Sequence, residues 1–456
     1  MCGISRETVN MLRVSTSFLI LFSAVLSHEF IAEPLFHGLS EANIGGIQAR
    51  DGYLMLCILY FTNTVSCFFA PFVVSRISGK WAMVLGMVAA FCMQAAYMFP
   101  NRYILMVTSA LGGAGATLLW VGQGQYITEN ISEANREKNT SIQWGFYKMS
   151  LIFGGVFFFF YFQNSSIDAI VANGQMQIFF IVFMTFTVLS IINSIFLPQS
   201  QVSQNQAILP FCETFVNSFK LLKTPRMFCF TIFFFYTGLI RSFWISIYPA
   251  CIKFTSQLST NTTAILTIGM IVTGCGQVIG SLSVAVIGNK IRKFGQHTLI
   301  LCALILHIFL CVMISLTFPN DAPLGHTDKN GPVFGASVLS AMTISALLGF
   351  GDAILQTQVY SYIAKYYQNE SSTVFSIFRF SSGIASTLLF FAAQYFHLMH
   401  HLILIAIFAV LSGLAVLRFQ KSSAAVSEKQ KAPITVIPTG KLGSLRSHSI
   451  SPQPLV

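Results

Sequence analysis

The chain has 456 residues, of which 54% are hydrophobic and 9% are charged, with a mean hydropathy of +0.69. Soluble domains carry about 25% charged residues, so this composition excludes a soluble globular protein. The formal charge of +11 is scattered over short loops and a tail, which argues against a concentrated nucleic-acid-binding surface. The sequence therefore predicts a membrane protein whose basic loops meet anionic lipid.

A helix needs about 20 apolar residues to cross a bilayer, and the chain supplies twelve such runs. Barrel strands would alternate apolar and polar residues, whereas a run such as Ile178–Leu197 is apolar all round, so we predict helices. The first six runs are Met11–Ser27, Tyr53–Val74, Trp81–Met98, Tyr103–Gly124, Ile142–Phe162 and Ile178–Leu197. The last six are Met227–Tyr248, Ala264–Gly288, Leu299–Phe318, Phe334–Ala364, Thr373–Tyr395 and Leu402–Leu417.

The apolar pattern is interrupted once in the middle of the chain and once at its end. We predict a six-helix bundle at 1–197, a cytoplasmic linker at 198–226, a second bundle at 227–420 and a disordered basic tail at 421–456. Within the linker, aromatic and apolar residues recur at helical spacing, which predicts a short helix on the membrane surface. Those residues are Phe211, Phe215, Phe219 and Leu222.

The distribution of lysine and arginine predicts how the chain is oriented. With the N-terminus inside, the inner loops and the tail collect most of the basic residues, as insertion favours. The outer segments hold little beyond Arg50, Arg102, Lys253 and Lys329. We therefore expect both termini in the cytoplasm, in either the plasma membrane or an endomembrane.

Several motifs recur in order along both halves. The fourth span ends in Leu119–Thr128, which contains Trp120, Gln123, Gly124 and Tyr126. Further motifs are Tyr236–Leu239, the glycine series at 269, 274, 276 and 280, Pro319–Pro323, Gly349–Asp352 with Thr357 and Gln358, and Phe375–Phe380. This set resembles the Unc-ninety-three branch of the major facilitator superfamily. Within that branch it is most similar to the subgroup called major facilitator superfamily domain-containing protein eleven.

The resemblance implies a fold of two six-helix bundles, built as parallel repeats around a midplane cavity. It also marks departures, since Gln277 stands where a glutamate is expected, Gln356 where asparagine is usual and Arg379 where lysine is common. The superfamily's loop signature is degenerate as well, because Arg76 and Arg292 replace its acid. These departures weaken any inference of ion or proton coupling from the family.

Ionisable residues at membrane depth cost about 2.5–3.5 kcal/mol on insertion scales, so they normally face a cavity or a partner. We predict that Asp352 and Arg241 line a central cavity, together with Gln277, Gln356 and Gln358. Asp352 would bind a proton or cation there, or would be an ion-paired acid that fixes helix packing; Arg241 would pair with an acid or an anionic ligand.

Other polar residues have simpler explanations. For Lys148 and Arg379 two positions are open, lining the cytoplasmic vestibule or extending to the cytoplasmic interface, and we expect the second. His28, Glu29 and Glu33 are expected at the solvated end of the first helix, the alternative being a gate or pH sensor of an outer vestibule. Trp120 and Tyr126 are expected to anchor in the interface.

Two functions from different classes fit the sequence. No catalytic constellation and no metal or cofactor pattern is present, so we expect a protein that is not an enzyme and carries no cofactor. The resemblance implies a regulator or trafficking partner of a channel or receptor, which the degenerate loop signature also favours. Superfamily descent implies a secondary transporter of a small solute, which Asp352 and Arg241 favour.

The predicted orientation can be tested by glycan mapping. Of five sequons, only Asn164 and Asn261 fall outside the cytoplasm, so these two are expected to carry glycan. Glycosidase treatment should shift the wild-type band, and N164Q and N261Q should each remove one step. Glycan on Asn130, Asn139 or Asn369 would contradict the orientation.

Overall fold

The computed structural model describes residues 6–130, 133–198, 216, 220–291, 297–367 and 371–431. Nearly all of them are helical, and only an isolated parallel bridge, Thr255 to Thr327, has β geometry in these ranges. The first half contains α1 (Arg6–Glu41), α2 (Asp51–Ser66), α3 (Ala70–Ala95), α4 (Arg102–Asn130), α5 (Glu133–Tyr161), α6 (Ile167–Ala172) and α7 (Met176–Ile195). The second half contains α8 (Pro225–Ser242), α9 (Tyr248–Phe254), α10 (Thr262–Ile291), α11 (His297–Thr317), α12 (Val338–Tyr366), α13 (Ser371–Ala393) and α14 (Leu398–Lys431).

The predicted all-helical membrane fold is confirmed. Eleven helical stretches in the described ranges are long and apolar enough to cross a membrane. The twelfth crossing begins with α2, which has 16 residues, and continues into the start of α3. Ser78 interrupts α3 with a left-handed backbone (φ 74°), so the second and third crossings separate there. The separation lies between the predicted runs Tyr53–Val74 and Trp81–Met98, as the polar stretch between them indicates.

The first helix is longer than predicted. We expected it to end near Ser27, with His28, Glu29 and Glu33 solvated, but α1 continues to Glu41 and buries all three. For the two acids the reason is that α2 supplies partners: Glu33 accepts a hydrogen bond from the backbone N–H of Tyr53 (3.1 Å), and Glu29 accepts one from the hydroxyl of Tyr60 (3.0 Å). A buried acid with a partner does not end a transmembrane helix.

The seventh crossing joins α8 and α9 through five residues of π-helix, Phe243–Ile247. Single π turns inside helices interrupt the regular ladder and are frequent at functional sites. Arg241 lies two residues before this segment, on the part of α8 that faces the first half.

The last helix extends beyond the predicted start of the tail. The last helix, α14, continues to Lys431, past the predicted boundary of the tail at residue 420. Between residue 420 and Pro433 the sequence has no helix breaker. A proline disfavours helical backbone in the residue before it, so the helix can continue until just before Pro433. The remaining tail lies outside the described residues, as does most of the predicted linker and its short helix, so these divisions stay predictions.

The two halves bond to each other at one end of the bundle, formed by the loops 42–50, 162–175, 255–261, 318–337 and 394–397. We call this the predicted exterior end. Lys253 in α9 pairs with Asp168 in α6 at 2.6 Å. Tyr53 donates to the carbonyl of Pro323 at 2.8 Å, and Arg50 donates to the carbonyl of Gln394 at 3.1 Å. Helices of both halves are thus joined by polar contacts here.

Small residues let neighbouring helices approach closely, as is usual in membranes. α10 and α12 meet where Gly276 faces the carbonyl oxygen of Ala346, so that a β-carbon on Gly276 would lie 2.0 Å from this oxygen. The backbone carbonyl of Ala346 cannot move away from an added methyl group as the end of a flexible side chain could. Gly276 is therefore required for the contact between α10 and α12.

We expect Gly276→Ala to lower the melting temperature of the purified protein. Forcing one methyl group into packed backbone typically costs about 1–3 kcal/mol. Gly145→Ala is the matched control, because a β-carbon at this α5 position would have no atom within 4 Å. Equal melting temperatures for the two variants in a thermal-shift assay would contradict the α10–α12 contact.

Candidate functional site

Arg241 joins α8 to two helices of the first half. Its Nε donates to the hydroxyl of Tyr60 on α2, and its Nη1 donates to the hydroxyl of Tyr147 on α5, both at 3.4 Å. The Tyr60 hydroxyl in turn donates to the carboxylate of Glu29 on α1 at 3.0 Å. An acid of one half and a base of the other are therefore linked through one tyrosine, as the prediction of an acidic counterpart for Arg241 requires.

Asp352 meets Lys148, not Arg241. The Lys148 ammonium lies 3.6 Å from the Asp352 carboxylate, and both side chains are at least 90% buried. We expected Lys148 to extend to the interface, and that prediction is wrong, because the buried acid on α12 gives the lysine a partner inside the protein. Asp352 thus has a lysine at ion-pair distance, yet neither of its carboxylate oxygens has a hydrogen-bond partner among the described residues, so both alternatives for Asp352 stay predictions.

A buried histidine lies beside this pair. His307 of α11 shares a 2.8 Å hydrogen bond between its Nδ1 and the hydroxyl of Tyr236 on α8. Its Nε2 points at the backbone of α12, where a β-carbon on Gly351 would lie 2.3 Å from it. Gly351 therefore makes room for the imidazole next to Asp352. The result is a row of ionisable groups, Tyr236, His307, Asp352 and Lys148, at mid-depth.

Trp120 lies in an aromatic cluster between the halves instead of anchoring in the lipid interface. Its indole stacks on Trp144 with 5.7 Å between ring centroids and contacts Phe22 at 5.3 Å. From the second half, the Arg379 guanidinium lies 5.1 Å from the Trp120 ring, and Trp144 contacts Tyr360 at 5.2 Å. The predicted interfacial position of Trp120 is thus wrong. Of the two positions open for Arg379, the extension to the lipid interface is wrong as well, because cation–π contact satisfies the arginine inside the bundle.

The three glutamines of the predicted cavity occupy different environments. Gln358 is fully buried, and neither its Oε1 nor its Nε2 has a hydrogen-bond partner among the described residues. Gln277 on α10 is 3% exposed and its Nε2 has no partner within the same described part of the chain. Gln356 is half-buried. Buried amides without partners are costly, so Gln277 and Gln358 are the strongest candidates for contact with a small polar ligand.

The remaining motif residues close the inner end of α4. Gln123 donates to the side-chain oxygen of Gln143 on α5. Tyr126 is 1% exposed and packs in the core, contrary to the predicted interfacial position. Gly124 is exposed. The hydrogen bond between Gln123 and Gln143 fastens this end of α4 to α5.

The two sequons predicted to carry glycan lie at the predicted exterior end. Asn164 is exposed in the loop between α5 and α6, and Asn261 is half-buried in front of α10. The backbone N–H of Ile167 donates to Thr263 at 3.2 Å, which places the two loops side by side. Their common position agrees with the prediction, while the side of the membrane stays a prediction.

An exposed ion pair at the same end differs in environment from the buried pair of Lys148 and Asp352. Lys329 donates to Asp321 at 2.5 Å, and this hydrogen bond lowers the pKa of the Asp321 carboxyl. Both side chains are well exposed, so water screens the pair and its contribution to stability is small. The pair of Lys148 and Asp352 at mid-depth is buried, so water does not screen it in this way.

Sequence analysis missed Tyr60, Tyr147 and His307 as members of the site. His307 was detectable in principle, since it is an ionisable residue in the middle of α11, the most apolar span. The two tyrosines carried no distinguishing pattern, because tyrosines are common in membrane helices and only the fold shows which ones face Arg241.

The fold agrees with solved transporter structures. The chain aligns with the crystal structure of the peptide transporter POT in complex with sulfate at a TM-score of 0.70, with 10% identity, covering 92% of this chain and 95% of that one. It also aligns with the nucleoside transporter NupG (TM-score 0.63, 10% identity, 91% and 100%) and the E. coli fucose:proton symporter FucP (TM-score 0.59, 11% identity, 91% and 99%). The protein is thus a multi-pass membrane protein with the major facilitator superfamily fold.

Sequence comparison identifies the family. A family model described as ion channel regulatory protein UNC-93 matches residues 43–417, and the chain belongs to this family. UNC93-like protein MFSD11 of Xenopus tropicalis is 25% identical over 430 residues, covering 89% of this chain and 94% of the relative. UNC93-like protein 3 of Arabidopsis thaliana is 23% identical, covering 84% and 82%. The predicted family is confirmed.

We expect Arg241→Met to destabilise the protein by about 3–5 kcal/mol, because it removes the buried cation that is linked to Glu29 through Tyr60. The double variant Glu29→Gln/Arg241→Met should recover part of this loss, since the stranded charge is then gone. Thermal unfolding of all variants in the same detergent measures both the loss of stability and its recovery. A double variant as unstable as the sum of the single variants would show that the two charges are not coupled.

Proposed function

We propose that the protein is a non-enzymatic regulator or trafficking partner of another membrane protein, such as an ion channel, with both termini in the cytoplasm. Membership of the UNC-93 family, over most of the chain, supports this function. We further propose that it acts in the plasma membrane or in an endomembrane.

The structural observation that carries the proposal is the set of contacts between the halves at three depths. Lys253 and Asp168 join them at the predicted exterior end, Arg241 and Tyr147 at mid-depth, and Arg379 with Trp120 toward the inner end. A transporter must break the contacts at one end to admit its solute. Contacts throughout the depth suit a protein that presents a fixed outer surface to a partner.

The regulator hypothesis is tested by combining partner identification with current recording. Proximity labelling in cells that express the tagged protein should reproducibly recover a channel. Deleting the protein should then change that channel's surface abundance or current at least twofold, and wild-type protein should restore it.

A matched pair of arginine variants links the effect to the fold. Arg379→Met removes the contact with Trp120 and should restore the current less well than wild type, whereas Arg418→Met, at an exposed position of α14, should restore it fully. Failure to recover any channel whose current responds to the deletion would contradict the regulator hypothesis.

A second candidate function is secondary transport of a small polar solute. It is favoured by two buried amides, Gln358 on the same α12 helix as Asp352 and Gln277 on the adjacent α10, since such groups gain from a hydrogen-bonding ligand. The solved structures with this fold that we compared are titled as transporters of peptides, nucleosides or fucose. Rocking of one bundle against the other around this site would move the solute.

Uptake into proteoliposomes tests the transport hypothesis. A panel of peptides, nucleosides and sugars should include one solute that accumulates with wild-type protein. Gln358→Met, which leaves the Lys148–Asp352 pair intact, should reduce uptake at least fivefold, whereas Gly145→Ala should not. No uptake of any panel member above that of protein-free liposomes would contradict transport.

A further inference from the structure

Three metal-ligating side chains from both halves meet at the predicted exterior end. His37 and Glu41 lie one turn apart on α1, with 3.7 Å between His37 Nδ1 and Glu41 Oε1. His326 comes from the loop between α11 and α12. One ligand atom from each of the three residues lies within 4.8 Å of the other two.

The two imidazoles are positioned by the surrounding structure. Their rings are edge-on to each other at 5.2 Å, and each contacts the ring of Phe254 at the end of α9. The residue after His326 is held by two backbone hydrogen bonds, from Thr327 to Phe254 (2.9 Å) and from Ser256 to Thr327 (3.1 Å). The loop histidine is therefore presented to α1 by a bonded backbone, as metal sites require of their ligands.

One atom of the cluster lacks a hydrogen bond. His37 Nδ1 is buried and makes no hydrogen bond among the described residues, although Glu41 lies beside it. Buried polar atoms normally have a partner. Lys253 at the same end of the bundle is paired with Asp168 at 2.6 Å and makes no ion pair with Glu41 in the described part of the chain.

We propose that His37, Glu41 and His326 bind a zinc-like divalent cation that ties the two halves together at this end. Two imidazoles and one carboxylate are a ligand set that zinc accepts, with water in the fourth position. Tetrahedral zinc with bonds of about 2.0–2.1 Å needs donor atoms about 3.3 Å apart. The ligand atoms lie within 4.8 Å of one another, so metal binding would require the exposed side chains of Glu41 and His326 to rotate inward.

The chemistry of the donors sets the selectivity. Imidazole nitrogen suits zinc, copper and nickel, whereas calcium and magnesium prefer all-oxygen sites with more ligands. Since α1 supplies two ligands and the second half supplies the third, bound metal would oppose separation of the halves at this end. This proposal does not depend on whether the protein regulates a partner or transports a solute.

Zinc titration of the purified full-length chain, stripped of metal in detergent, tests the proposal. Wild-type protein should bind one equivalent with a Kd in the micromolar range or below, and zinc should raise its melting temperature. His326→Ala and Glu41→Gln should each weaken binding by about tenfold or more, since even outer partners of ligands change affinity about 10- to 100-fold.

The controls separate this site from other surface histidines. His400→Ala, at an exposed position of α14, should bind zinc as wild type does, and calcium should produce no shift. Both exposed-ligand variants should keep the wild-type melting temperature without metal, which shows that they fold. The proposal is overturned if wild type binds no zinc at 100-fold excess, or if His326→Ala and Glu41→Gln bind it unchanged.

Discussion

Lys148 and Asp352 face each other across the boundary between the halves at a depth where neither charge is exposed to solvent. Each would cost several kcal/mol if left alone in hydrocarbon, so the favourable state is one in which α5 and α12 stay together. Arg241 and Glu29 impose the same condition on α8 and α1, with Tyr60 between them. Because the opposite charges come from opposite halves, they fix how the two bundles meet.

The neighbouring contacts follow from that arrangement. Where the side chains of α5 and α12 face each other, Trp144 also reaches Tyr360, and Trp120 receives the Arg379 guanidinium. At the predicted exterior end the same docking brings α1 to the loop between α11 and α12, where His37 meets His326. The charged, aromatic and metal-ligating clusters are thus three levels of one interface.

The fold was largely predictable from the sequence, but the contacts between buried polar side chains were not. Apolar runs of membrane-spanning length determined the helices, and motifs in both halves determined the family, since these are local properties of the sequence. The end of α1 was missed because Glu33 is satisfied by the backbone of Tyr53, which only the packed structure shows. Lys148 was assigned to the interface for the same reason: its partner lies in the other half of the chain. His37, Glu41 and His326 have no motif spacing, so sequence alone indicates no cluster.

Charge exchange between Lys148 and Asp352 tests the central claim most directly. Lys148→Asp and Asp352→Lys should each lower the melting temperature strongly, because each places two like charges together at mid-depth. The combined exchange should recover at least half of the lost stability, and Asp321→Asn should change it little, since that pair is exposed. If the exchanged protein is as unstable as the two single variants together, the buried pair does not hold the halves and the account is wrong.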